Sequence, residues 1–190
     1  MTCLIEINNL SKSYKDVVLN NINMKVRDEV LLLYGTNGSG KSTLIKCILG
    51  LVNYNGEILI NGTIGYIPEV FQLPELVKVE KFLKDIASLT NSNYTRLVKK
   101  YGLSNKMDDY IYSLSKGMKQ KLVIIQALIH SPDILVCDEP INGLDKEMQD
   151  IFCMMLKEQK KLGKAIIIAS HYEKLYTEFL DRVIYLDKTN

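Results

Sequence analysis

At 190 residues with 47% apolar content, the chain has the size of one ordinary domain and enough apolar side chains to bury a substantial core. That excludes a disordered tail and a disulfide-stapled miniprotein. Its 24 Lys and Arg against 22 Asp and Glu leave a net charge of +2, so no broad field addresses nucleic acid or another polyanion, and any bound anion must be held locally.

Read in chain order, Leu4, Ile5 and Ile7 predict a short strand, and Ile22, Met24 and Val26 alternate with polar residues as a half-exposed strand does. Val30 to Tyr34 is apolar throughout, which suits a strand buried on both faces. It stops at a glycine-rich loop, Gly35 to Gly40, that opens a helix pattern ending near Gly50. Residues from about 75 to 130 show helical periodicity and no convincing strand, which predicts a helical insert in an α/β core. Apolar runs then recur at Ile134 to Cys137, Ala165 to Ala169 and Val183 to Leu186. Between the first two of these runs, Leu144, Met148, Ile151, Phe152, Met155, Leu156 and Leu162 follow helical spacing, with Gly163 as the stop and the methionines read as core. Strand, helix and strand in that order imply a parallel sheet.

The cysteines at positions 3, 47, 137 and 153 form no CxxC pair, and His130 and His171 are the only histidines, so structural zinc is not expected. Their apolar neighbours predict reduced, buried thiols in a cytosolic protein. Glu6 interrupts the N-terminal apolar run, and no stretch approaches the roughly 20 apolar residues of a spanning helix, so neither a secretion signal nor a membrane span is read.

Gly35-Thr36-Asn37-Gly38-Ser39-Gly40-Lys41-Ser42-Thr43 satisfies G-x-x-x-x-G-K-[ST] between a buried strand and a helix, the context this motif requires. Backbone N–H groups of such a loop converge on phosphate oxygens; Lys41 supplies a point charge for the β and γ phosphates, and the Ser42 hydroxyl can ligate Mg²⁺. A second element, Ile134-Leu135-Val136-Cys137-Asp138-Glu139-Pro140, ends an apolar strand in two acids. Two acids before a proline can simply start a loop. Beside a phosphate loop, Asp138 suits Mg²⁺ held through water, and Glu139 suits orientation or activation of a nucleophilic water.

Leu114-Ser115-Lys116-Gly117-Met118-Lys119-Gln120 precedes a helix pattern running through Ile129, with Ser115 at its N-cap. This segment resembles the signature of ATP-binding cassette (ABC) ATPases and stands in the family's order between phosphate loop and acid strand. The resemblance implies a P-loop NTPase of α/β class, an ABC ATPase core with a mainly parallel sheet, N-terminal antiparallel β elements and a helical insert. It implies a single domain over 1–190, with 1–68 and 131–190 as nucleotide-binding core and 69–130 as the insert carrying the signature. It also implies that Ser115 and Gly117 face the γ phosphate of ATP held by a second copy, a homodimer formed on ATP binding. Tyr14 sits where the family stacks an aromatic on adenine, Asn142-Gly143-Leu144-Asp145 resembles the loop crossing the dimer interface, His171 resembles the histidine contacting the γ phosphate, and Asp181-Arg182-Val183 resembles the closing strand.

Two positions depart from the common pattern. Glu69, after Ile64-Gly65-Tyr66-Ile67-Pro68, stands where a glutamine senses γ phosphate, Mg²⁺ and the membrane partner, and as a carboxylate it is a further Mg²⁺ ligand candidate. Met118 stands where glutamine is frequent. Both variants are similar to those of ABC ATPases that drive drug, antibiotic and peptide exporters. The segment from Asn55 to Gly65 is shorter than usual in the family, and the chain reads as a minimal cassette without a regulatory extension. The resemblance thus implies an ATPase using ATP and Mg²⁺, cytoplasmic and peripheral on the inner face of a cell membrane, driving a separate integral membrane subunit. Abundant Lys, Asn and Ile fit an AT-rich bacterial genome. The alternatives are a soluble ABC ATPase acting on ribosomes or DNA, and a regulatory cassette. Lys41 and Ser115 are 74 residues apart, which leaves no room for the long coiled coils of DNA-repair relatives, and Glu139 is the acid a degenerate cassette would lack.

Overall fold

The computed structural model describes residues 3–186. Its elements run β1 (Ile5–Ser13), β2 (Val17–Val26), β3 (Val30–Tyr34), α1 (Lys41–Ile48), β4 (Asn55–Ile60) and β5 (Ile64–Ile67). They continue with α2 (Val79–Thr90), α3 (Thr95–Lys100), α4 (Lys116–Leu128), β6 (Ile134–Asp138), α5 (Lys146–Lys161), β7 (Ala165–Ser170) and β8 (Arg182–Tyr185).

Five strands form a parallel sheet in the order β5-β6-β7-β3-β8, and three form an antiparallel sheet in the order β2-β1-β4. The continuous apolar runs are explained by two cores. Leu32, Leu135, Cys137, Ile166 and Ile168 face a core shared with α4, α5 and the insert, while Leu31, Leu33, Ile134, Val136, Ile167 and Ala169 face a second core with α1 and the antiparallel sheet. Each central strand thus buries alternate side chains on opposite faces, and a polar residue on either face would enter apolar surroundings.

The register sets the site. Tyr34 pairs with Ser170 and Asp138 with Ala169, so the C-terminal ends of β3, β6 and β7 lie side by side. The glycine loop, Glu139 and His171 leave from those three ends, the edge at which open α/β sheets place ligands.

The structure refines several sequence expectations. Met148, Phe152 and Met155 are buried as core, but Leu162 is 62% exposed at the C-cap, because α5 has ended at Lys161 and Leu162 no longer continues its buried face. Asp145 caps α5, its Oδ1 accepting from the Met148 N–H at 2.9 Å. Ser115 caps α4 in the same way, its Oγ accepting from Met118 N–H at 3.3 Å. Cys47 and Cys137 are buried, whereas Cys3 and Cys153 are half-buried; all are free thiols. Burial pushes the thiols of Cys47, Cys137 and Cys153 up, away from the reactive thiolate.

Candidate functional site

A cleft of about 500 Å³ opens at the ends of these strands, lined by Tyr14, Lys41, Ser42, Glu69, Glu139 and His171 together with the glycine loop. Gly40, at the N-cap of α1 with φ of 96°, turns the chain so that the first helical turn points into the cleft; a Cβ there would also press on Leu19 at 2.9 Å. Thr36, Asn37 and Gly38 are exposed along the loop, and Thr43 lines the cleft beside Ser42.

Lys41 is 5% exposed and its ammonium donates to the carbonyls of Gly35 at 2.7 Å and Thr36 at 3.2 Å. It also lies 3.3 Å from Glu139 Oε1. That oxygen is buried and receives no well-aligned hydrogen bond, so the contact is a charge pair rather than a directed bond. His171 Nδ1 stands 3.0 Å from the other oxygen, Oε2. The acid, the lysine and the histidine are therefore gathered into one cluster.

Glu139 has φ of 41°, a left-handed conformation in a non-glycine residue. The backbone turn that follows holds it, Asn142 N–H donating to Glu139 C=O at 3.1 Å.

The Ser42 hydroxyl donates to Asp138 Oδ1 at 3.0 Å. A hydroxyl and a carboxylate placed side by side are hard oxygen donors of the kind that Mg²⁺ takes, directly or through water. Burial raises the Asp138 carboxyl above its ordinary value, and Glu69 and Glu139 reinforce the rise, while the Ser42 hydrogen bond and Lys41 oppose it. A divalent cation would stabilise this disfavoured anion, so the donor pair fits Mg²⁺. The buried Ser39 hydroxyl is unpartnered in the same loop.

Glu69 lines the same cleft as Ser42, and its Oε1 accepts from Asn142 Nδ2 at 3.1 Å. Glu69 thereby ties the start of the insert to the loop after Glu139. Periodicity carries no trace of this link, since its partners are 73 residues apart.

Tyr14 is 58% exposed at the cleft edge, with the Lys12 ammonium 4.7 Å from its ring centroid. An aromatic face that stacks on a base contributes about 1 kcal/mol or more, roughly fivefold in affinity. Tyr14→Phe is expected to bind ATP as the unaltered chain does and Tyr14→Ala at least about fivefold more weakly. Equal titrations by a fluorescent ATP analogue for all three would make Tyr14 an ordinary surface aromatic.

Ser115 and Gly117 do not line this cleft. Both lie at the N-terminus of α4, Ser115 exposed and Gly117 half-exposed. A Cβ on Gly117 would meet only Met148 Cγ at 3.6 Å and Sδ at 3.7 Å, ordinary contact distances.

The family model described as ABC transporter matches residues 19–142. Among curated relatives, the lantibiotic transport ATP-binding protein SrtF of Streptococcus pyogenes is 35% identical over 88% of this chain and 80% of its own length. The zinc import ATP-binding protein ZnuC of Rickettsia conorii is 33% identical over 97% of this chain and 83% of its own. A solved structure described as the ATP binding subunit of an ABC transporter superposes with a TM-score of 0.88 at 31% identity, covering 98% of this chain and 88% of that one.

Proposed function

Because the chain belongs to the ABC transporter ATP-binding family and is an ATPase, we propose that it is a transport motor, two copies enclosing two ATP molecules and driving a separate membrane-spanning subunit. The observation that carries the reading is the separation of the signature from the cleft. Gly117 has no positive φ and no crowding within its own chain, so its missing side chain answers no internal need. A second copy docking Ser115, Gly117 and the positive end of α4 against ATP held by the first gives the glycine a reason, because a side chain would keep the backbone N–H groups off the phosphate.

Within each site, ATP draws the Lys41 ammonium from Glu139 to the β and γ phosphates. The released carboxylate then orients a water and accepts its proton while the water oxygen bonds to the γ phosphorus and the bond to the ADP oxygen breaks. His171, 3.0 Å from Glu139 Oε2, aligns the carboxylate and reaches the γ phosphate. Ser42 and, through water, Asp138 would hold Mg²⁺, which would neutralise charge on the phosphates.

The membrane partner is read from a second cavity, about 630 Å³, lined by Tyr66, Phe71, Gln72, Leu73, Val123 and His130 among others. Phe71 and Leu73 are half-buried against the core of the insert, while Val70 is 79% exposed at the cavity and Leu76 83% exposed on the same loop. A groove with an apolar floor and rim fits a short amphipathic helix of another protein. No helix among the described residues is long and apolar enough to cross a membrane. On the family membership we assign the span to that partner and this chain to the cytoplasmic face of the membrane. Export of a drug, antibiotic or peptide is the direction we favour, on the Pro68-Glu69 and Gly117-Met118 variants and the similarity to SrtF.

Phe71→Ala is expected to leave ATP binding intact and to weaken assembly with the membrane subunit, measured by copurification. A cysteine at Gln72 tests the location without altering the floor. Crosslinking to the cytoplasmic loops of the partner supports the reading, and efficient crosslinks elsewhere on the chain with none at position 72 contradict it.

A further inference from the structure

The loop that follows Glu139 is held by two side chains of the helical insert, one at its start and one at the beginning of its last helix, α4. Asn142 donates to Glu69, where the insert begins, and the carbonyl of Gly143 accepts from the Lys116 ammonium at 2.8 Å, in the first turn of α4. Helix energetics does not explain a lysine at that position. The first turn of α4 contains no acid, and a cation beside the positive end of a helix is unfavourably placed. Lys119 in the same turn is compensated by Glu75 at 3.1 Å, whereas among the described residues Lys116 has no carboxylate within ion-pair distance. Its partner is the neutral carbonyl of Gly143. The contact is built from the loop side as well. Gly143 has φ of 68°, which turns its carbonyl toward α4, and a Cβ there would lie 3.2 Å from the Lys116 nitrogen.

What this contact steadies is the backbone that carries the acid. Glu139 sits in a left-handed conformation that persists only while its surroundings hold it, and the turn from Glu139 to Asn142 is part of those surroundings. We propose that Lys116 is a positioning residue for ATP hydrolysis: by holding Gly143 it fixes the Glu139 turn, so that the acid is aligned only while the helical insert is docked on the core. Glu69 acts on the same loop from the other side through Asn142. The inference rests on Glu139 as the acid of the proposed function.

The test is steady-state hydrolysis by the full chain with Lys116→Ala and Lys116→Arg. A displaced acid lowers the rate of the chemical step by about tenfold or more and leaves ATP binding nearly unchanged. The expected result is therefore a fall in kcat for Lys116→Ala, KM for ATP within about twofold of the unaltered chain, and recovery of most of kcat in Lys116→Arg, which keeps the donor. Because both ties act on one loop, Lys116→Ala combined with Glu69→Ala lowers kcat by less than the product of the two single effects. Unchanged kcat in Lys116→Ala overturns the inference, and increased kcat overturns it by making the contact a resting lock. A rise in KM at constant kcat overturns it by putting the ammonium on the nucleotide. A fall in kcat that arginine does not restore, with a lowered unfolding temperature, shows a structural contact only. Glu139→Gln measured alongside separates the two levels: if it hydrolyses ATP at the unaltered rate, the reading of Glu139 fails and this inference with it, whereas an inactive Glu139→Gln beside an unaffected Lys116→Ala removes this inference alone.

Discussion

Lys41→Ala binds MgATP roughly 10- to 150-fold more weakly than the unaltered chain, the range set by losing one charge-assisted contact of about 1.5–3 kcal/mol. The ammonium is 5% exposed and already held by two carbonyls of the phosphate loop, so it needs little reordering to meet the β and γ phosphates. Its removal has a second consequence. The Glu139 carboxylate, buried beside it, is left with His171 as its partner and repels the incoming phosphate. Both effects act in the same direction. Calorimetric titration with MgATP measures the sum, and circular dichroism confirms that the altered chain is folded. Affinity equal to that of the unaltered chain contradicts the phosphate-loop reading.

The three central strands of the parallel sheet were legible because they are buried on both faces. Residues 30–34, 134–137 and 165–169 are therefore uninterrupted apolar runs that need no periodicity to be seen. The phosphate loop and the acid pair were legible for a related reason: chemistry at strand ends is local in sequence, and residue type carries the signal. Two strands, β4 and β5, were not. In Asn55–Ile60 Ile58 alone is half-buried and the rest is exposed, so no alternation marks it, and its pairing with β1 places Ile58 opposite Ile7 across 51 residues. Ile64–Ile67 contains Gly65, which argues against a strand; the glycine is there because a Cβ would approach the Ala127 carbonyl of α4 to 2.3 Å. The contacts of Lys116 with Gly143, Asn142 with Glu69 and Lys41 with Glu139 were invisible for the same cause, since each joins distant segments through one polar atom pair. Gly117 was legible as part of a signature, but only the structure shows that its own chain leaves room for a side chain there.

The second large effect concerns the acid. Glu139→Gln keeps the shape of the side chain and removes its charge, so it can no longer take a proton from water, a role that contributes about 10²- to 10⁴-fold to a rate. Hydrolysis is expected to fall by that order. Binding is expected to hold or to tighten, because the carboxylate that competes with phosphate for the Lys41 ammonium is gone. An altered chain hydrolysing at the unaltered rate removes Glu139 from the role of base.

With binding preserved and turnover stopped, the ATP-bound state accumulates, and its size reports directly on the central claim that the site is completed by a second copy. Light scattering coupled to size-exclusion chromatography gives the mass of Glu139→Gln in MgATP. The account predicts twice the mass of one chain in MgATP and the mass of one chain in MgADP, with the dimer lost when Gly117 is replaced by a bulky residue that its own chain accommodates. A particle of one-chain mass at saturating ATP, with binding confirmed by calorimetry, would contradict it.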